Sequence, residues 1–106
     1  MPEPGLKGIN TVSFHEAAEL EMNEAAEYYE SRVTGLGLTF ISEVERCTNL
    51  IKENPESSTP ILKNIRRKLL MHFPFSIMYS IVDDNSIRIL AVANHKRRPF
   101  YWRRRK

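Results

Sequence analysis

Cysteine is almost missing from these 106 residues: Cys47 stands alone, so no internal disulfide can staple the chain. Its neighbours Glu45, Arg46 and Thr48 offer no base to make it a nucleophile, and it reads as a small buried hydrophobe. No apolar run approaches the ~18 to 20 residues of a membrane span. Met1 to Asn10 lacks the apolar core of a signal peptide, which makes it a flexible leader and puts the chain in the cytoplasm. The 3 histidines, His15, His72 and His95, are too scattered for a local metal motif, and no metal or cofactor is expected. There is no internal repeat. Acids are missing from the last dozen residues, where basic side chains crowd together.

The basic crowding gives the first positive clue. Lys96, Arg97, Arg98, Arg103, Arg104, Arg105 and Lys106 are 7 cations within His95–Lys106, so a net charge of +3 leaves −4 for everything before them. An acidic body with a basic end implies that the end meets something anionic: nucleic acid, an acidic protein segment or the body itself. The hydrophobic fraction of 42% suffices for one core, and the length fits one domain. That domain is expected over residues 11–106, with 95–106 as its basic C-terminal segment.

Periodicity supplies the elements. Thr11–Phe14 is a short β-leaning run. From Glu16 onward Ala18, Met22, Ala25, Tyr29 and Val33 share one face of a helix, which ends near Gly35-Leu36-Gly37, where glycine can take a positive φ. Phe40, Val44, Cys47 and Ile51 mark a second helix, stopped by Asn54-Pro55. The two make an antiparallel hairpin. Glu56 to Pro60 reads as polar linker. The period then falls to two: Ile65, Arg67, Leu69 and Met71 alternate with Arg66, Lys68, Leu70 and His72. Phe75–Val82 is rich in β-formers, Asp83-Asp84-Asn85 is turn chemistry, and Ser86–Val92 is a further strand. There Ile87, Ile89 and Ala91 should face one way, and Arg88, Leu90 and Val92 the other. The expected class is α+β in the order β-α-α-β-β-β, a helical hairpin packed on one face of an antiparallel sheet.

Several stretches in this order resemble the RelE/ParE toxins of type II toxin–antitoxin systems. They are Phe14-His15-Glu16-Ala17-Ala18-Glu19-Leu20-Glu21, Glu27-Tyr28-Tyr29, Gly35-Leu36-Gly37 and Asn54-Pro55-Glu56, then Ile65-Arg66-Arg67, Phe73-Pro74-Phe75-Ser76-Ile77 and Ile89 through Pro99 with Tyr101-Trp102. The resemblance runs from about Thr11 to Arg104 and leans to the ParE-like subgroup through the Tyr-Trp ending. It implies a toxin neutralised by a cognate acidic antitoxin, with a higher-order toxin–antitoxin complex as one form. It implies one of two targets: ParE-like members block DNA gyrase, whereas RelE-like members cut messenger RNA in the ribosome.

The residues can be weighed against both. Metal-independent RNA cleavage needs a base, an acid and cations for the phosphate; Arg67, His95, Arg97 and Tyr101 are the candidates. Ser76 stands where the similar ribonucleases carry arginine, and a serine supplies no bidentate clamp. Gyrase binding needs a surface and no catalyst, which favours a non-enzymatic toxin. Lys96, Arg97, Arg98, Tyr101, Trp102 and Arg103 then form the target-binding set, since Trp, Tyr and Arg are enriched at hot spots; the same mixture suits single-stranded nucleic acid. Arg66, Arg67, Arg88 and Arg97 are the expected antitoxin contacts. A degenerate, non-toxic homologue that only binds antitoxin is the third reading. Bland roles compete: Arg103 to Lys106 as a disordered solubility tag, Tyr28, Tyr29, Phe73, Phe75 and Tyr79 as core, and Trp102 packed back onto the fold.

Overall fold

A computed structural model describes residues 9–106. Its elements are β1 (Thr11–Phe14), α1 (Glu16–Arg32), α2 (Leu36–Glu53), β2 (Thr59–Leu62), β3 (Ile65–Leu69), β4 (Phe75–Asp83) and β5 (Ser86–Asn94). The strands form one sheet in the order β1-β5-β4-β3-β2. The α+β class and the hairpin over the sheet are as the sequence implied, with two additions. β1 runs parallel to β5, because the α-hairpin carries the chain back over one face before the sheet resumes, so the sheet is mixed. The stretch read as linker contains β2, which pairs antiparallel with β3 at Thr59–Arg67, Pro60–Arg66 and Leu62–Ile65. Its proline sits on an edge strand, where a missing N–H is tolerated.

α1 starts on His15, whose Nδ1 accepts the Ala17 N–H at 3.0 Å. Ala18 and Ala25 are buried on its inner face, whereas Val33 is exposed, because the helix has already ended and Val33 is extended. Gly35 takes φ +89° as the N-cap of α2. Glu30 reaches over from α1 and accepts the N–H groups of Gly35 and Gly37 at 2.8 and 2.9 Å, satisfying donors the cap itself leaves open. A Cβ on Gly37 would stand 2.5 Å from the Ala26 carbonyl oxygen, so the helices can close this tightly only with glycine there.

The main core lies between hairpin and sheet. Phe40, Val44, Cys47 and Ile51 of α2 meet Phe75, Ile77 and Tyr79 of β4 and Ile87, Ile89 and Val92 of β5. Tyr29, Phe40, Phe73 and Phe75 pack ring against ring, with centroids 4.8 to 6.3 Å apart. Burial pushes the Cys47 thiol up, in keeping with an inert core position. Tyr28 is exposed instead, with the Arg32 guanidinium 4.8 Å above its ring. Ile9 is also buried, and the Asn10 N–H donates to the Asn85 carbonyl at 2.8 Å; these last two positions of the expected leader are therefore docked, and positions 1–8 lie outside the described residues.

A second core occupies the opposite face of the sheet: Ile65, Met78, Leu90, Ala91 and Ala93, covered by Trp102. It gains Ala91 and Ala93 because β5 carries a bulge. Met78 pairs with Ala91 and Tyr79 with Ile89, leaving Leu90 without a partner. One extra residue reverses the alternation, so Ala91 joins the second core and Val92 the first. The expected grouping of Ala91 with Ile87 and Ile89 fails for this reason.

Candidate functional site

The basic end is not a loose tag. After β5, Asn94 Oδ1 accepts the Lys96 N–H at 2.8 Å, and the chain folds into successive i to i−3 turns: Tyr101 to Arg98, Arg103 to Phe100 and Arg105 to Trp102. Phe100 is held at φ +61°, a left-handed conformation that a bulky residue adopts only where its surroundings enforce it. The Phe100 ring packs beside Trp102, with centroids 5.7 Å apart. At 2% exposure Trp102 is sealed against the back of the sheet, so of the positions expected to touch a target it serves as the anchor of the others.

A second attachment comes from α1. β1 covers β5 only over Ser86–Ile89, leaving an open edge beyond. There Glu21 takes the Val92 N–H at 3.0 Å, the Tyr101 hydroxyl at 2.7 Å and the Arg105 guanidinium at 3.0 and 2.9 Å. Arg105 also donates to the Leu90 carbonyl at 3.0 Å, and Arg97 lies 3.8 Å from the carboxylate. Both arginines lie over the Tyr101 ring, at 3.9 and 5.1 Å. Burial and the bond to Glu21 push the Tyr101 hydroxyl well above its ordinary range, while the bond to Glu21 raises Arg105. The phenol is thus fixed as a protonated donor.

Between the segment and the back of the sheet lies a cleft of about 300 Å³. Arg67, His95, Arg97 and Tyr101 all border it, as do Arg98 and Phe100, with Ile61, Met78 and Trp102 as apolar wall. No carboxylate lines it among the described residues. Ser76 is at its base, buried, with its hydroxyl 2.8 Å from His95 Nε2.

A family model described as the ParE toxin of type II toxin–antitoxin systems, parDE, matches residues 12–99. The chain belongs to the ParE toxin family. The solved structure of a chromosomal ParDE toxin–antitoxin system from P. aeruginosa is similar in fold, with a TM-score of 0.68 at 13% identity over 81% of this chain and 96% of that one. No curated protein matches in sequence.

In this ParE-family toxin the remaining expected contacts divide by side of the sheet. Arg67 projects to the back face beside the cleft and is exposed. Arg66 points to the helix side, where it donates to the Glu56 and Ser58 carbonyls at 2.9 and 2.8 Å and so holds the loop after α2. Arg88 is half-buried and donates to Ser13 Oγ at 3.1 Å. Lys96, Arg98, Arg103 and Arg104 are exposed, and among the described residues none forms an ion pair. Arg97 is half-exposed, its side chain at 52%. Sequence reasoning missed Glu21, which lies among the glutamates of α1 and carries no local signal that separates it from them. It also missed Glu43, buried on α2 and bonded to His72 of the loop before β4 at 2.7 Å. Among the described residues no group of side chains could hold a metal, and no helix is long and apolar enough to cross a membrane.

Proposed function

We propose that this ParE-family chain arrests growth by gripping DNA gyrase with its C-terminal segment, and that an acidic antitoxin neutralises it. The observation that carries this reading is the cleft: cationic, bordered by no acid among the described residues, and backed by a segment pinned at Trp102 and Glu21. A preformed basic and aromatic surface binds without a large ordering penalty. Lys96, Arg97, Arg98, Tyr101 and Arg103 supply the contacts, and Trp102 holds them in place. The antitoxin is acidic where it meets Arg67, Arg88 and Arg97. It is apolar where it meets the hairpin, which leaves Leu20, Tyr28, Leu38 and Leu50 exposed. Arg66 reaches it only by giving up its two carbonyls. Toxin and antitoxin assemble in the cytoplasm, with a higher-order toxin–antitoxin complex as one form.

The ribonuclease reading has one observation in its favour, since Arg67, His95, Arg97 and Tyr101 border a common cleft. Three details weigh against it. The Tyr101 hydroxyl is spent on Glu21, His95 Nε2 is spent on Ser76, and Ser76 provides no phosphate clamp. A supercoiling assay with purified gyrase tests the proposal: inhibition is expected at about micromolar toxin. Uninhibited gyrase together with cleaved messages in primer extension would replace it with the ribonuclease. Growth unaffected by expression without antitoxin would leave only the non-toxic binding homologue.

A further inference from the structure

Seven cations within a dozen residues repel one another, and a run of single turns is too short to hold its own shape. Something outside the segment must fix it. Trp102 pins one side of it to the back of the sheet. The other side is tied around the open edge of β5 to a single carboxylate on α1. We infer that Glu21 is a positioning residue for the C-terminal segment, holding residues 97–105 in the shape through which they engage their target.

The geometry separates Glu21 from the hydrated glutamates beside it. Glu16, Glu19, Glu24 and Glu27 are exposed, whereas the Glu21 side chain is 14% exposed. Its two oxygens accept from three residues in two parts of the chain: Val92 on β5, and Tyr101 and Arg105 of the C-terminal segment. Bonds of this kind, from a guanidinium to a largely buried carboxylate, are the stronger class. The consequence is a division of labour among the cations. Arg105, 18% exposed, is drawn inward, and Arg97 is stacked on Tyr101 between carboxylate and cleft. Lys96, Arg98, Arg103 and Arg104 are left on the outside, in a fixed relation to the cleft. Without the carboxylate, Arg97 and Arg105 would repel each other across the Tyr101 ring, and the turns after Arg98 would lose their tie to α1.

This inference rests on the gyrase reading for the target and on geometry alone for the positioning. The test is Glu21→Gln, which keeps an acceptor for the Val92 N–H and removes the charge. Tyr101→Phe, which deletes one bond only, is the second variant should the first fail to fold. Amide hydrogen exchange of the full-length toxin is followed by mass spectrometry alongside gyrase inhibition. Exchange in residues 97–106 should quicken about ten- to a hundredfold in Glu21→Gln and less in Tyr101→Phe, with the helices and β4 unchanged. The toxin concentration needed for inhibition should rise at least about tenfold in Glu21→Gln. Unchanged exchange in the segment, or faster exchange with wild-type inhibition, overturns the inference. A wild-type chain that leaves gyrase untouched sinks the gyrase reading instead, and the exchange data then decide by themselves whether Glu21 holds the segment.

Discussion

Glu43→Gln should destabilise the fold at neutral pH and lose that effect in acid. Glu43 lies on α2 at 7% exposure. One oxygen takes the main-chain N–H of His72 and the other its Nδ1, each at 2.7 Å. Burial alone would raise this carboxyl, but the His72 main-chain and ring bonds and a Met71 main-chain bond outweigh it and hold the group below its ordinary value of 4.5. Glutamine keeps one acceptor and turns the other into an N–H₂ that faces a donor. The imidazole is 69% exposed and can rotate away, so its share is discounted for solvent screening. The His72 N–H cannot move, and a charge-assisted bond to it accounts for most of an expected loss of about 2 kcal/mol. For a domain of this length that lowers the melting temperature by about 10 °C. The sign with pH follows from the lowered value. The carboxylate contributes fully above the unfolded-state pKa, and its contribution fades as pH falls through the folded-state pKa, whereas glutamine does not titrate. Melts followed by circular dichroism at about pH 7 and about pH 3 should therefore show a wide gap between wild type and variant that closes in acid. A gap under about 2 °C at neutral pH, or one of equal width at both, would refute the reasoning.

Three further outcomes are expected. Gly37→Ala forces the helices apart at the Ala26 carbonyl and should cost about 1 to 3 kcal/mol in urea unfolding; wild-type stability would mean the hairpin tolerates a wider gap. Trp102→Ala opens the second core and should cost about 3 to 5 kcal/mol, with near-ultraviolet circular dichroism and gyrase inhibition lost together; full inhibition would mean the segment needs no anchor. Arg98→Gln, Arg103→Gln and Arg104→Gln combined should leave the melting temperature within about 2 °C yet weaken inhibition at least about tenfold and flatten its salt dependence; unchanged inhibition would remove these arginines from the target surface.

The hairpin was legible because burial there follows a single period. Phe40, Val44, Cys47 and Ile51 repeat at helical spacing, and all are buried. β3 was legible from its alternation at a period of two, and β4 from its run of β-formers, which is buried on both faces over Phe75–Tyr79. β2 was not, because an edge strand with a proline and two exposed positions leaves almost no apolar signature. The parallel β1–β5 pair was invisible because register between distant strands is set by tertiary packing. Arg66 and Arg67 stand side by side in sequence, and only the sheet tells them apart: one clamps a loop, the other faces the cleft. The basic segment announced its charge but concealed its order. That order comes from Glu21, about 80 residues away in sequence as the chain runs, and no local pattern marks such a partner.

The bulge at Leu90 links these hidden features. The His15 N–H donates to the Ile89 carbonyl, so at that point the odd-numbered residues of β5 turn their main-chain groups toward β1. A regular strand would continue the pattern and aim Ala91 at the open edge, with its side chain under the helices. There its small volume would leave a void against α1. The extra residue shifts both series at once. Val92 fills the helix-side core and turns its N–H to the edge, where Glu21 accepts it. Ala91 and Ala93 join Leu90 at the back, the alanines leaving room for an indole to lie close to the sheet. Both attachments of the C-terminal segment, the apolar one at Trp102 and the ionic one at Glu21, thus depend on a single unpaired residue of β5. The arginines beyond them hold their positions because of a main-chain irregularity that lies within the sheet itself.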